Sequence, residues 1–186
     1  LAPLQTQLEQ WQGTEAVVLG CGGSARAVVA GLQQLPLTAI HVAGRRPDAL
    51  DAFLKDLRAD QCNDSVPLIA MSLDPERLSR VLKRSKLVVN TTPVGMQGHG
   101  DDKAMPLGRD LWTGVDSSVT LYDLIYTPRP TPWLELGQQH GCCTIDGLEM
   151  LVQQGAAALR RWSGREDVPV DQMREGALQS LGAHQP

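Results

Sequence analysis

The stretch from residue 16 to residue 26, Ala-Val-Val-Leu-Gly-Cys-Gly-Gly-Ser-Ala-Arg, restricts the fold of this chain more than any other. Residues 16–19 are an apolar run of the length of a buried strand. Gly20, Gly22 and Ala25 follow in Gly-x-Gly-x-x-Ala spacing, and residues 24–35 have the composition of a helix. Strand, glycine turn and helix in that order are the context in which such glycines receive a dinucleotide pyrophosphate. The reasons are steric and electrostatic. Gly20 lets the chain turn sharply off the strand, Gly22 has no Cβ to hold a phosphate away from the backbone, and small Ala25 lets the helix pack closely on the strand. The free N–H groups and the dipole of the first helical turn then favour negative charge. A tight structural turn without a ligand is the competing reading of the same residues.

The alternation continues along the chain. Residues 39–43, 66–70, 86–90, 118–122 and 142–145 read as further strands, and helical patterns occupy residues 48–60, 74–84 and 131–139. This order predicts an α/β fold: a doubly wound parallel sheet of the Rossmann type, six strands with helices on both faces and right-handed crossovers. In the first helix Ala27, Val28 and Gly31 are expected to face the sheet. In the next, Leu50, Phe53, Leu54 and Leu57 share one face. Residues 3–12 read as a short polar helix leading into the first strand. Residues 97–114, rich in Gly and Asp, read as a mobile loop or short helix. An apolar helix over residues 147–162 and an amphipathic one over 169–181 follow, with a tail expected to be disordered. The organisation expected is one domain, residues 1–186, with a C-terminal helical extension at about 147–182.

Composition excludes several function classes. Of 186 residues, 42% are hydrophobic and 20% charged, an ordinary soluble balance, and the formal charge of −4 gives no general attraction to nucleic acid or anionic membrane. No apolar run approaches the ~20 residues of a membrane span. Residues 1–12 lack a basic start and a cleavage site, so no signal peptide is expected. Cys21, Cys62, Cys142 and Cys143 show no metal-ligand spacing, so no metal is expected. They read as reduced thiols of a cytoplasmic protein. Cys21 reads as a small turn residue rather than a nucleophile, since no base lies near it in sequence.

The tip of the second strand carries Gly44-Arg45-Arg46-Pro47. An acidic residue there accepts from the ribose 2′-hydroxyl of NAD and repels the 2′-phosphate of NADP. Two guanidinium groups match a phosphate in charge and fork geometry, so the sequence favours NADP. Asn90, Thr91 and Thr92 stand at the carboxyl end of the fourth strand, the edge at which open α/β sheets bind ligands. An Asx/Thr turn closing the strand is the alternative. His99 is given no role. Of Gln153 and Gln154, one reads as a solvated residue and the other as an amide directed into the cleft.

Four stretches together resemble the C-terminal, NADP-binding half of the shikimate dehydrogenase family. They are residues 20–26 (Gly-Cys-Gly-Gly-Ser-Ala-Arg), 89–96 (Val-Asn-Thr-Thr-Pro-Val-Gly-Met), 123–128 (Asp-Leu-Ile-Tyr-Thr-Pro) with Thr131 and Leu134, and 146–154 (Asp-Gly-Leu-Glu-Met-Leu-Val-Gln-Gln). The resemblance implies a pyrophosphate loop at Gly20, Cys21, Gly22, Gly23, Ser24 and Ala25, and a 2′-phosphate site at Gly44, Arg45 and Arg46. It also implies cofactor contacts at Thr91 and Thr92, nicotinamide-end contacts at Leu124 and Gly147, and substrate contacts at Tyr126 and Gln154. Gly44 and Arg46 replace the family's asparagine and threonine, and Ala49 stands where the family has a second basic residue. The implied activity is NADP-dependent interconversion of 3-dehydroshikimate and shikimate, in aromatic amino acid and chorismate biosynthesis. In the family the lysine and aspartate that act on the reacting hydroxyl lie in an N-terminal lobe, and no Lys…Asp pair here matches them. The chain is therefore expected to be the cofactor-binding half, inactive alone, sharing shikimate with that lobe, with no catalytic residue of its own. Homodimerisation stays open. A quinate/shikimate-type dehydrogenase and a non-catalytic NADP-binding regulatory module are the rival readings.

Overall fold

The structure is a computed structural model that describes residues 2–5, 8–59, 65–101 and 103–182. Its sheet is built from β1 (Glu15–Leu19), β2 (Ala39–Gly44), β3 (Leu68–Ser72), β4 (Ser85–Asn90), β5 (Thr120–Asp123) and β6 (Cys143–Ile145). All neighbouring strands pair in parallel, in the order β3-β2-β1-β4-β5-β6. The expected doubly wound sheet is thus present, and its order reverses at β1, where such folds open a crevice for a ligand.

Parallel strands covered on both faces read as continuous apolar runs, and β1 shows how the residues divide. Ala16 and Val18 point into one core with Val28, Val29, Ile40, Leu54 and Leu87. Val17 and Leu19 point into a second core with Met71, Leu78, Val88, Leu121 and Trp133. On the first face lie α2 (Gly23–Leu32) and α3 (Pro47–Ala59); on the second lie α4 (Pro75–Leu82) and α5 (Pro132–Gln139). Leu50, Phe53 and Leu54 of α3 are buried as their spacing predicts, and Leu57 packs against them. The phase of α2 differs from expectation. Ala25, Val28, Val29 and Leu32 form its buried stripe, Gly31 is half-buried, and Ala27 is exposed. Starting at Gly23, the helix puts residue 27 a third of a turn away from residue 28, on the outer side.

Three segments depart from the sequence reading. Where one helix was expected over residues 3–12, the described residues form α1 (Ala2–Gln5) and a short 3-10 turn (Leu8–Trp11), whose Trp11 turns inward and donates its indole N–H to the Leu4 carbonyl at 2.8 Å. Within residues 97–114 the short helix, one of the two readings, is present, but the segment is less polar than expected. Leu107, Leu111 and Trp112 are buried in the second core, and a 3-10 helix (Arg109–Gly114) carries the last two. β3 starts at Leu68 rather than Val66, since Pro67 has no N–H to give the ladder and only its carbonyl pairs, with Ile40. The expectations for Cys62 and for the final tail lie outside the described residues.

The chain ends with α6 (Leu148–Ser163) and α7 (Val170–Gly182). α7 buries none of its residues. It is fastened to α6 by Arg174, which donates to both Glu149 oxygens at 2.8 and 2.9 Å and to Asp171 at 2.6 Å. Those Arg174 hydrogen bonds, with one from Gln153, pull the Glu149 carboxyl down to about 2. Among the described residues no helix is long and apolar enough to cross a membrane.

Candidate functional site

At the carboxyl edge of the sheet a cleft of about 460 Å³ opens between the β1–α2 turn, the tip of β2 and the loop after β4. Gly20, Cys21, Gly22, Gly44, Arg45, Arg46, Thr91 and Thr92 all line it. The sequence therefore places these candidates around one cavity. Gly20 takes φ of 107° and ties its N–H to the Ala43 carbonyl at 2.8 Å. A Cβ there would stand 2.7 Å from Thr91 Oγ1. Gly22 and Gly23 face open space instead, with no atom within 4 Å of where a Cβ would be. Gly22 starts α2 without a side-chain cap, so the first amides of the helix have no protein side chain to satisfy them. Ser24 is exposed beside them, and Ala25, fully buried, sets the helix close on the sheet.

Cys21 Sγ packs 3.5 Å from the Cβ position of Gly44, so the thiol fills the gap between the two turns. Cys21, Cys142 and Cys143 are all free thiols. Beyond Gly44, Arg45 and Arg46 are exposed, and among the described residues neither guanidinium has an ion-pair or hydrogen-bond partner. Other lining residues carry no motif: Leu73 beyond β3, Pro93 and Val94 in the β4 loop, and Met105 and Pro106. Leu73, 37% exposed, is an apolar side chain held in the open at the sheet's ligand edge.

The two threonines sit in the wall of the cleft but spend their hydroxyl protons on the protein. Thr91 Oγ1 donates to the Leu19 carbonyl at 2.7 Å, and Thr92 Oγ1 donates to Asn90 Oδ1 at 2.7 Å. Thr92 N–H also goes to Asn90 Oδ1, at 3.0 Å, so Asn90 closes the strand as an Asx turn while it shapes the cleft. Leu124 and Gly147 are brought together one strand further along. A Cβ on Gly147 would lie 2.0 Å from the Leu124 carbonyl oxygen, and Gly147 N–H donates to the Ile125 carbonyl at 3.0 Å. Tyr126 and Gln154 are both exposed, in the loop after β5 and on α6, and neither lines the cleft. Gln153 turns to Glu149 at 2.7 Å, which leaves Gln154 as the amide open to solvent. His99 is exposed. No cluster among the described residues is arranged to hold a metal ion.

Behind the wall lies Asp123, fully buried at the end of β5. Burial pushes its carboxyl up to about 6, against the pull of hydrogen bonds from Ile125, Thr131 and Asn90. A carboxyl raised in the fold adds stability that is complete below its unfolded pKa, near 4, and is lost as pH rises through 6. The shift of about two units corresponds to about 3 kcal/mol. Denaturant melts of wild type and Asp123→Asn are expected to show wild type losing about that much relative to the variant between pH 4 and 7.5. A gap that stays constant with pH would show that the carboxyl titrates normally in the fold.

A parallel sheet in this order, with a glycine turn opening a helix at its centre and a cleft at its carboxyl edge, defines a Rossmann-type α/β protein. Residues 147–178 match the family model described as Shikimate 5'-dehydrogenase C-terminal domain. The shikimate dehydrogenase (NADP(+)) of Synechocystis sp. is 44% identical over 181 residues, covering 97% of this chain and 60% of that protein. The solved shikimate 5-dehydrogenase of Thermus thermophilus, in complex with NADP(H) and shikimate, is 29% identical, with a TM-score of 0.72 over 96% of this chain and 60% of the other. That of Listeria monocytogenes, in complex with shikimate and NAD, shares the fold at a TM-score of 0.79 and 22% identity, over 94% of this chain and 59% of the other. Over nearly its whole length this chain is similar to shikimate dehydrogenases, and it spans about 60% of the length of the curated relatives it matches.

Proposed function

We propose that this chain supplies the NADP(H) site of a shikimate dehydrogenase, an oxidoreductase that moves hydride between NADPH and the C3 ketone of 3-dehydroshikimate. The observation that carries this reading is one cleft in which uncapped helix amides, bare glycines and two guanidiniums without partners among the described residues converge. The donor set fits the cofactor. The space before Gly22 and Gly23 admits a pyrophosphate to the amides of α2, and Arg45 and Arg46 offer charge to a 2′-phosphate. When bound, the nicotinamide supplies the redox chemistry, and the protein positions it. Leu124 and Gly147, packed against each other beyond the cleft, bound the nicotinamide end. Tyr126 and Gln154 contribute a phenol and an amide suited to a ligand bearing hydroxyls and a carboxylate. Thr91 and Thr92 act as wall, with hydroxyl oxygens that accept but protons already committed. The proton-transferring groups belong to parts of the enzyme that this chain does not hold, so the chain binds the nucleotide without turning over. The free thiols support a cytoplasmic setting.

The test is calorimetric titration with NADP+ and NAD+, followed by an assay of shikimate-dependent NADPH formation. Saturable NADP+ binding, tighter than NAD+, without turnover is expected. Absence of NADP+ binding would overturn the nucleotide reading. Turnover at the level of a complete enzyme would overturn the division of labour.

A further inference from the structure

We propose that Asp123 is a positioning residue for the nucleotide cleft, acting through Asn90 and Thr92 on the wall that faces the glycine turn. The inference rests on the nucleotide reading above, and it concerns a residue that touches no part of the cleft. β4 and β5 pair so that Asn90 and Asp123 stand side by side at their carboxyl ends. Asn90 Nδ2 donates to Asp123 Oδ1 at 3.0 Å. The same oxygen accepts from Ile125 N–H at 3.1 Å, and Asp123 Oδ2 accepts from Thr131 Oγ1 at 2.8 Å. Thr131 in turn caps α5, taking the Leu134 N–H at 3.4 Å.

These partners leave the Asn90 amide one orientation. An ionised carboxylate only accepts, so the NH2 end must face Asp123. The Thr92 N–H only donates, so the oxygen must face Thr92. Both requirements agree, and the amide is locked without any help from a ligand. Its oxygen then gathers the N–H and O–H of Thr92, while Thr92 Oγ1 accepts from Val94 N–H at 3.3 Å. Next to it, Thr91 is tied by N–H and hydroxyl to the Leu19 carbonyl, at 3.0 and 2.7 Å. Leu19 is the residue from which Gly20 departs, and the Thr91 and Thr92 side chains lie 2.7 and 3.1 Å from where a Cβ of Gly20 would be. The relay runs from the cap of α5 to the pyrophosphate turn, across β5, β4 and β1. Asp123 is its fixed point, because it is fully buried and has three donors.

Asn90→Asp tests this with almost no change of shape. It replaces the NH2 group facing Asp123 with an oxygen, setting acceptor against acceptor. At pH 8 the variant is expected to bind NADP+ at least about tenfold more weakly than wild type while still melting cooperatively, since a buried polar group loses its partner. Asp123→Asn keeps an accepting oxygen toward Asn90 and is expected to bind within about threefold of wild type, as the net worth of one replaced hydrogen bond is small. At pH 5.5 the two facing carboxyls can share a proton and regain a donor–acceptor pair, so Asn90→Asp should recover most of the lost affinity relative to wild type at the same pH. Recovery on acidification is a result that general destabilisation does not produce. If Asn90→Asp does not melt cooperatively, Asp123→Ser, too short to reach Asn90, takes its place with the same expected loss. Wild-type binding with an unaffected Asn90→Asp would overturn the relay and leave the nucleotide reading intact. A loss that acidification does not recover would overturn it as well. A wild type that fails to bind NADP+ would overturn both.

Discussion

Replacing Arg45 and Arg46 together with alanine is expected to weaken NADP+ binding by about a hundredfold, about 2.7 kcal/mol, and NAD+ binding by less than about threefold. The two nucleotides differ by one phosphate. The only groups at the tip of β2 that distinguish it are two exposed guanidiniums without partners among the described residues. A charge-assisted bond from each accounts for the expected loss. Because both side chains stand in water, the discrimination should shrink as salt rises past the concentration at which the Debye length falls to a few ångströms. Single variants would apportion the effect between Arg45 and Arg46. Equal losses for NADP+ and NAD+ would show that neither arginine reads the 2′-phosphate.

The second large effect is one of folding. Gly147 has ordinary helical dihedrals, φ −78° and ψ −3°, so any residue suits its backbone. What it lacks is room. A Cβ would stand 2.0 Å from the Leu124 carbonyl oxygen and 3.0 Å from the Ile125 carbonyl carbon. Gly147→Ala must push the start of α6 off the loop that follows β5, breaking the Gly147 to Ile125 hydrogen bond, and is expected to cost about 3 kcal/mol or more. Gly164, at the other end of the same helix, supplies the contrast. Its φ is 68°, yet no atom lies within 4 Å of its Cβ position. Gly164→Ala carries only the left-handed backbone penalty, about 1 kcal/mol. Denaturant midpoints of the two variants should rank in that order. Similar midpoints would mean that the α6 start moves aside without resistance.

The fold and half of the cleft were legible before any coordinates, and the reasons are local. Gly20, Gly22 and Ala25 announce strand, turn and helix within ten residues, and Arg45 and Arg46 follow at the next strand's tip by simple chain order. Leu73, Met105 and Pro106 were not legible as cleft residues. Apolar side chains in loops have no periodicity to show them, and their neighbourhood exists only once β3 and the segment before β5 are folded beside β1. The hydroxyls of Thr91 and Thr92 read equally well as ligand donors or turn closers, and orientation decides between these, not identity. Asp123 showed least of all. Its partner Asn90 is 33 residues away, and only the parallel register sets the two side by side. Trp112 was equally hidden, one large apolar residue in a Gly- and Asp-rich segment whose burial depends on a core contributed by other elements.

Since α7 gives the interior no side chain, the sheet loses nothing when that helix lifts away. Its attachment combines one guanidinium forked onto one carboxylate, which ionic strength weakens, with half-buried side chains such as Met173, which packs at Gly155 of α6. The chain therefore carries two separate resistances to opening, one for the strands and the nucleotide wall, and a lower one for its final turns.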